Sequence, residues 1–143
     1  MGYKSLAAAV RDLEKNGHLI RIKEEVDPNL QMAAIHLRVY AAGGPAIFYE
    51  NVKGSPFPAV SNLFGTLERS RFIFRDTLDA VKQMVQLKGD PSKALKHPLK
   101  YAGLPFSALK ALPMKSFGSA PITYGQTKIS QLPQIKSWPM DGG

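Results

Sequence analysis

The chain has 143 residues, 44% of them hydrophobic and 21% charged, with 11 Pro and 12 Gly scattered rather than clustered. That suits one globular domain, excludes a disordered or collagen-like chain, and contains no run near the roughly 20 apolar residues of a membrane span. The absence of cysteine excludes a disulfide framework, a thiolate zinc site and a cysteine nucleophile together.

The opening Met1-Gly2-Tyr3-Lys4-Ser5-Leu6 lacks an apolar signal core, and Leu6 stands where a myristoylation signal needs Ser or Thr. A soluble cytoplasmic protein is therefore expected. The net charge of +8 is uneven: residues 1–79 carry ten Lys/Arg against nine Asp/Glu, whereas residues 80–143 carry nine against Asp90 and Asp141 alone. Such a field draws polyanions. The cations, however, are mostly single lysines without Arg clusters or interleaved aromatics, which argues against nucleic acid as the partner and for a solvated surface or an acidic protein neighbour.

In chain order, Ser5 caps a first helix with Leu6, Ala9, Val10 and Leu13 on its apolar side, ended by Asn16-Gly17. His18–Val26 reads as a half-buried strand, Ile20 and Ile22 alternating with Arg21 and Lys23. Asp27-Pro28 signals a second helix, with Asp as cap and Pro in the first helical position. One of its faces carries Leu30, Ala33, Ala34, Leu37 and Ala41, another Met32, Ile35 and Val39, and Gly43-Gly44 stops it. A helix apolar around so much of its girth is expected to pack on more than one side.

Residues 45–52 read as a buried strand, 53–58 as a turn and 59–64 as a returning strand. A βαβ unit followed by a hairpin predicts a small mixed sheet flanked by helices, an α/β (α+β) fold. Thr66 caps a third helix with Leu67, Phe72 and Ile73 as its apolar residues, and Asp76 or Thr77 a fourth carrying Leu78, Val81, Met84 and Val85 up to Gly89-Asp90-Pro91. Beyond it, Pro98, Pro105 and Pro113 allow short helical pieces around Tyr101 and Leu109, and a strand is expected at 120–123. The expected division is an N-terminal α/β domain over 1–113 and an extended connector over 114–143.

No phosphate-binding glycine loop, zinc-binding His-Glu-x-x-His or Gly-x-Ser-x-Gly elbow occurs. His18, His36 and His97 lie too far apart in sequence for a metal-ligand spacing and read as structural residues. Glu24 and Glu25 are adjacent, so a regular strand turns them to opposite faces. Glu50, near the end of an apolar strand, needs a partner, either the turn amides of Lys53-Gly54 or a nearby Arg. These residues yield no catalytic, cofactor-binding or metal-binding set.

Several segments resemble, in order, the N-terminus of the UbiD-like decarboxylase family: Ser5–Glu14, Gly17–Ile22, Glu25–Pro28, Gly43–Ala46, Glu50-Asn51-Val52-Lys53-Gly54, Asn62–Arg69, Leu132–Ile135 and Trp138-Pro139-Met140-Asp141-Gly142-Gly143. Much of this pattern has a folding reason in caps and turns, so it locates a scaffold more than a chemistry.

The resemblance implies a non-oxidative, reversible carboxy-lyase acting on aromatic or α,β-unsaturated carboxylic acids, with best-known members in ubiquinone or menaquinone biosynthesis. It implies prenylated flavin mononucleotide, Mn²⁺ or Mg²⁺, and K⁺ as cofactors, and a homo-oligomeric full-length enzyme with a flavin-binding middle domain and a further C-terminal domain. In the family the Asn, His and Glu that hold metal and cofactor, and the Glu-Arg-Glu catalytic set, follow the Asp-Gly-Gly motif at which this sequence stops. No catalytic, cofactor or metal position carries over, and the chain alone is expected to be inactive. Ser137 stands before Trp138 where many members have Cys. The alternative is a stand-alone binding module on the same scaffold, using its basic surface.

Overall fold

The computed structural model describes residues 3–90, 92–96, 98–103, 118 and 125–141. Its elements are α1 (Leu6–Lys15), β1 (Leu19–Val26), α2 (Gln31–Ala41), β2 (Ala46–Val52), β3 (Ala59–Ser61), α3 (Leu67–Ile73), α4 (Arg75–Gly89), α5 (Ser92–Lys96) and α6 (Pro98–Tyr101). A single 3₁₀ turn, Ile129–Gln131, follows among the described residues. The chain forms two compact units, one of residues 3–73 with 125–141, the other containing α4, α5 and α6.

The first unit is built on a sheet of order β1-β2-β3, with β1 and β2 parallel and β2 and β3 antiparallel. The expected βαβ unit and hairpin are therefore present. Period-two alternation gives the sheet two apolar faces. Leu19 pairs with Ala46, and both pack with Val10 and Leu13 of α1, joined by Phe48, Val60, Phe72 and Ile73. The alternate residues Ile47 and Tyr49 pack with Met32, Ile35 and Val39 of α2. The result is a helix–sheet–helix sandwich, fully closed at Leu13, Ile47 and Tyr49.

The first helix starts as expected: Ser5 is extended and its Oγ accepts from the Ala8 amide at 3.2 Å. Gly17, at φ +73°, turns the chain out so that the His18 amide returns to the Leu13 carbonyl at 2.8 Å. Leu6 is 57% exposed, so the buried stripe is Val10 and Leu13 alone. In β1 it is Leu19 rather than Ile20 that is sealed, and an extra residue between Ile22 and Glu25 shifts the register. Glu24 and Glu25 lie at this bulge, both exposed.

The second helix corrects the reading of Asp27-Pro28. It begins at Gln31, not at Pro28, because the preceding backbone has other partners. Asp27 Oδ1 accepts from the Asn29 amide at 2.8 Å, the Lys136 amide donates to the Pro28 carbonyl at 3.0 Å, and the Leu30 amide donates to the Lys136 carbonyl at 3.0 Å. Leu30 is thereby held at φ +67°, outside helical geometry. Of the two apolar faces of α2, the Met32/Ile35/Val39 face packs on the sheet, whereas Leu37 and Tyr40 are 60% and 55% exposed.

The third strand is shorter than residues 59–64 because Asn62 adopts φ +57°, a left-handed conformation Asn tolerates and a strand does not. Thr66 does cap α3, its Oγ1 accepting from the Arg69 amide at 3.2 Å, but Leu67 is 67% exposed. Neither Asp76 nor Thr77 caps α4. The helix starts at Arg75 after Phe74, and the Thr77 hydroxyl donates back to the Phe74 carbonyl at 3.1 Å. Short helices follow around Tyr101 as expected; the expectations at Leu109 and 120–123, and the side chain of His97, lie outside the described residues. No helix among the described residues is long and apolar enough to cross a membrane.

Candidate functional site

A cleft of about 250 Å³ lies beside the α2 face of the sheet in the first unit. Met32, Ala33, His36 and Leu37 of α2 form one wall, Tyr49, Val60 and Ser61 the sheet wall, and Ile135, Ser137 and Trp138 the third. The third wall stays near α2 through the Pro28–Lys136–Leu30 hydrogen bonds, and further along through the Ser55 hydroxyl, which donates to the Gln131 carbonyl at 2.7 Å. Three hydrogen bonds thus fasten a non-regular segment to the rest of the unit, which is why this stretch has a defined course without being helix or strand.

The polar groups around the cleft are sparse and weakly engaged. Tyr49 is fully buried; its hydroxyl donates to the Met32 carbonyl at 3.3 Å and lies 3.4 Å from Ser61 Oγ. Burial raises the Tyr49 phenol above its ordinary value of 10.0, so it remains a neutral hydroxyl. His36 stacks on Tyr40, and its Nδ1 is enclosed without a hydrogen-bond partner. Ser61 is therefore not activated through that nitrogen.

Beneath the other sheet face, a second cleft of about 470 Å³ includes Leu6, Arg11, Arg21, Phe48 and Pro58 in its lining. Arg21 settles the question of Glu50: the guanidinium is 3.8 Å from the Glu50 carboxylate, and the partner is an arginine rather than the turn amides. The same guanidinium makes a two-pronged 2.9 Å contact with Glu14 and stacks 4.5 Å from the Phe48 ring centre. Its hydrogen bonds hold the Glu14 carboxyl below the ordinary 4.5, and Glu14 in turn raises Arg21. His18 tilts against Phe72 at 4.5 Å between ring centres. Neither His18 nor His36 stands in a metal-ligating group: no cluster of three His, Asp or Glu side chains is present among the described residues.

One buried cation escaped the sequence reading. Arg69 is 2% exposed and donates to the backbone carbonyls of Leu63 at 3.1 Å, Gly44 at 3.0 Å and Asn62 at 2.7 Å. Asn62 adds its side-chain amide to the Gly44 and Pro45 carbonyls at 3.2 and 2.8 Å. Together they tie the start of β2 to the β3–α3 turn. The signal was available in Asn62–Arg69 as a recurrent segment, but an isolated Arg in a helix reads as a surface residue.

These facts bear on the cofactors that the resemblance implies. Among the described residues no Lys or Arg lines the α2 cleft, Arg21 is engaged by two carboxylates, and Arg69 is surrounded by backbone carbonyls. The described residues thus supply neither a metal-ligand set nor an unengaged buried cation for a flavin phosphate.

Residues 10–88 match the family model described as the 3-octaprenyl-4-hydroxybenzoate carboxy-lyase N-terminal domain. An uncharacterized protein of Chlamydia trachomatis serovar D is 38% identical over 143 residues, covering 97% of this chain and 24% of the relative. An uncharacterized protein of Synechocystis is 35% identical over 150 residues, covering 98% of this chain and 30% of the relative. The chain thus spans a quarter to a third of the length of these curated relatives. Among solved structures, vanillic acid decarboxylase of Sedimentibacter hydroxybenzoicus in its open form is 35% identical with a TM-score of 0.48, covering 50% of this chain and 16% of that one.

Proposed function

The chain belongs to the 3-octaprenyl-4-hydroxybenzoate carboxy-lyase N-terminal domain family, and from that premise we propose that it is the N-terminal scaffold of a non-oxidative carboxy-lyase. In this reading the whole enzyme acts on aromatic or α,β-unsaturated carboxylic acids with prenylated flavin mononucleotide, Mn²⁺ or Mg²⁺, and K⁺, and works as a cytoplasmic homo-oligomer. Quinone biosynthesis is the pathway class the family description supports. The reaction centre lies outside these 143 residues, and the chain by itself decarboxylates nothing.

The observation that carries the proposal is the family match over residues 10–88, a region in which three buried polar side chains are committed to the fold. Arg69 and Asn62 brace the β2 entrance, and Tyr49 closes the α2 face. None of them forms a base–nucleophile pair or a metal site, the constellations that acid–base or metal chemistry requires.

Equilibrium dialysis of the chain against prenylated flavin and Mn²⁺ tests this. The expected result is no saturable retention at micromolar cofactor, and saturable retention overturns the division of labour. Steep, salt-dependent retention on an acidic protein column, without any flavin binding, favours the stand-alone basic module instead.

A further inference from the structure

The α2 cleft has a chemistry that a purely structural role leaves unused. Its volume of about 250 Å³ exceeds the ~150 Å³ of a cavity that accommodates benzene, so a single substituted ring has room in it. Its accessible walls combine the rings of His36 and Trp138 with aliphatic side chains such as Leu37 and Ile135 over a floor closed by the buried Tyr49, surfaces suited to the face and edge of one flat ring. Among the described residues no Lys, Arg, Asp or Glu lines it, so these walls offer a charged ligand no counter-ion for the water it loses on entry.

Its hydrogen-bonding capacity is also incompletely used. The Tyr49–Met32 and Tyr49–Ser61 contacts of 3.3 and 3.4 Å are much longer than the ~2.7–2.8 Å typical of hydroxyl hydrogen bonds. Ser61, half-buried at the wall, therefore keeps donor and acceptor capacity for another hydroxyl. We propose that the cleft between α2, the Tyr49–Ser61 sheet wall and the 135–138 segment is a binding site for a small, uncharged, single-ring phenol. This goes beyond the scaffold reading and stands apart from it, because binding here needs neither flavin nor turnover.

Trp138 is the sole tryptophan of the chain and lines the cleft, so its fluorescence reports occupancy directly. Phenol is titrated into the 143-residue chain at pH 8, with benzoate and cyclohexanol in parallel. The expected result is a saturable Trp138 response to phenol in the millimolar range, with benzoate at least about tenfold weaker and cyclohexanol weaker than phenol.

Ser61→Ala is expected to weaken phenol about three- to tenfold, the loss of one hydrogen bond, and Ala33→Leu to abolish the response by filling the cleft. Circular dichroism melting checks that both variants fold; if Ala33→Leu does not, Ser61→Ala decides. Phenol that fails to saturate, benzoate binding as well as phenol, or a Ser61→Ala chain that binds like the parent overturns the proposal. So does Trp138 emission that responds to dilution of the chain and not to phenol, which assigns the cleft to a second copy.

Discussion

Helices α1 and α4 both carry an apolar stripe at helical spacing, yet they end in different environments. Val10 and Leu13 of α1 are 5% and 0% exposed, sealed against Leu19 and Ala46 of the sheet. α4 has no buried residue, and its Val81 and Val85 are 53% and 66% exposed. The difference is the presence of a β-sheet face, which offers a continuous apolar surface that a neighbouring helix in the chain can cover. Periodicity marks which side of a helix wants cover; it does not say whether cover is at hand. Among the described residues, the closed core therefore lies in residues 3–73.

The largest effects are expected where the two sheet faces close. Met32→Asp places a carboxylate at a position 4% exposed, packed among Val26, Ile47, Tyr49 and Val52. A cost of about 4 kcal/mol or more follows, a large part of what such a domain has to lose. Tyr49→Ala should cost about 3–5 kcal/mol through the void it leaves. Urea denaturation measures both; a loss below about 1 kcal/mol for either would remove the α2 face from the core.

Next comes the brace beside β2. A Cβ at Gly65 would run into the Asn62 side-chain amide and approach the Arg69 guanidinium, so Gly65→Ala is expected to cost about 1–3 kcal/mol by the same denaturation measurement. An unchanged midpoint would show that the Asn62–Arg69 network yields freely.

A smaller effect concerns acid. Lys53, 2.9 Å away, and the Asn29 amide hold the Asp27 carboxyl below its ordinary 3.8, as Arg21 does for Glu14. Because both folded values are lowered, their stabilisation is fully present above the ordinary carboxylate range and is lost as pH falls through the lowered values. Melting temperature should therefore decline below about pH 4, and less steeply in Asp27→Asn. Equal acid slopes in variant and parent would discard the Asp27–Lys53 contribution. The smallest change is expected at Val85→Ala, within about 0.5 kcal/mol; a larger loss would mean that α4 is covered in solution and would erase the contrast with α1.

Local signals served well where a residue's neighbours in sequence decide its conformation. Ser5, Gly17 and Thr66 cap or end helices because the groups they satisfy lie within a few residues. They misled where distant backbone intervenes: Asp27-Pro28 has every local mark of a helix start, but Lys136, over a hundred residues away, takes the Pro28 carbonyl and the Leu30 amide. Asn62 ended β3 early for a related reason, its side-chain amide being committed to Gly44 and Pro45.

The α2 cleft was not legible at all. Tyr49 and Met32 read as core residues and His36 as structural, and only the folded position of Ile135–Trp138 turns them into the walls of a cavity. The α+β class and the mixed sheet, by contrast, follow from the order of strands, helices and turns within residues 19–61, where connections are short.

The proposal to be tested is that this chain supplies framework and does not itself break the carbon–carbon bond. The direct measurement is carbon dioxide release by the purified chain, supplied with prenylated flavin, Mn²⁺ and K⁺ and offered hydroxybenzoic and cinnamic acids. The account predicts release no faster than in protein-free controls; turnover above that background, abolished by heat denaturation of the chain, would contradict it.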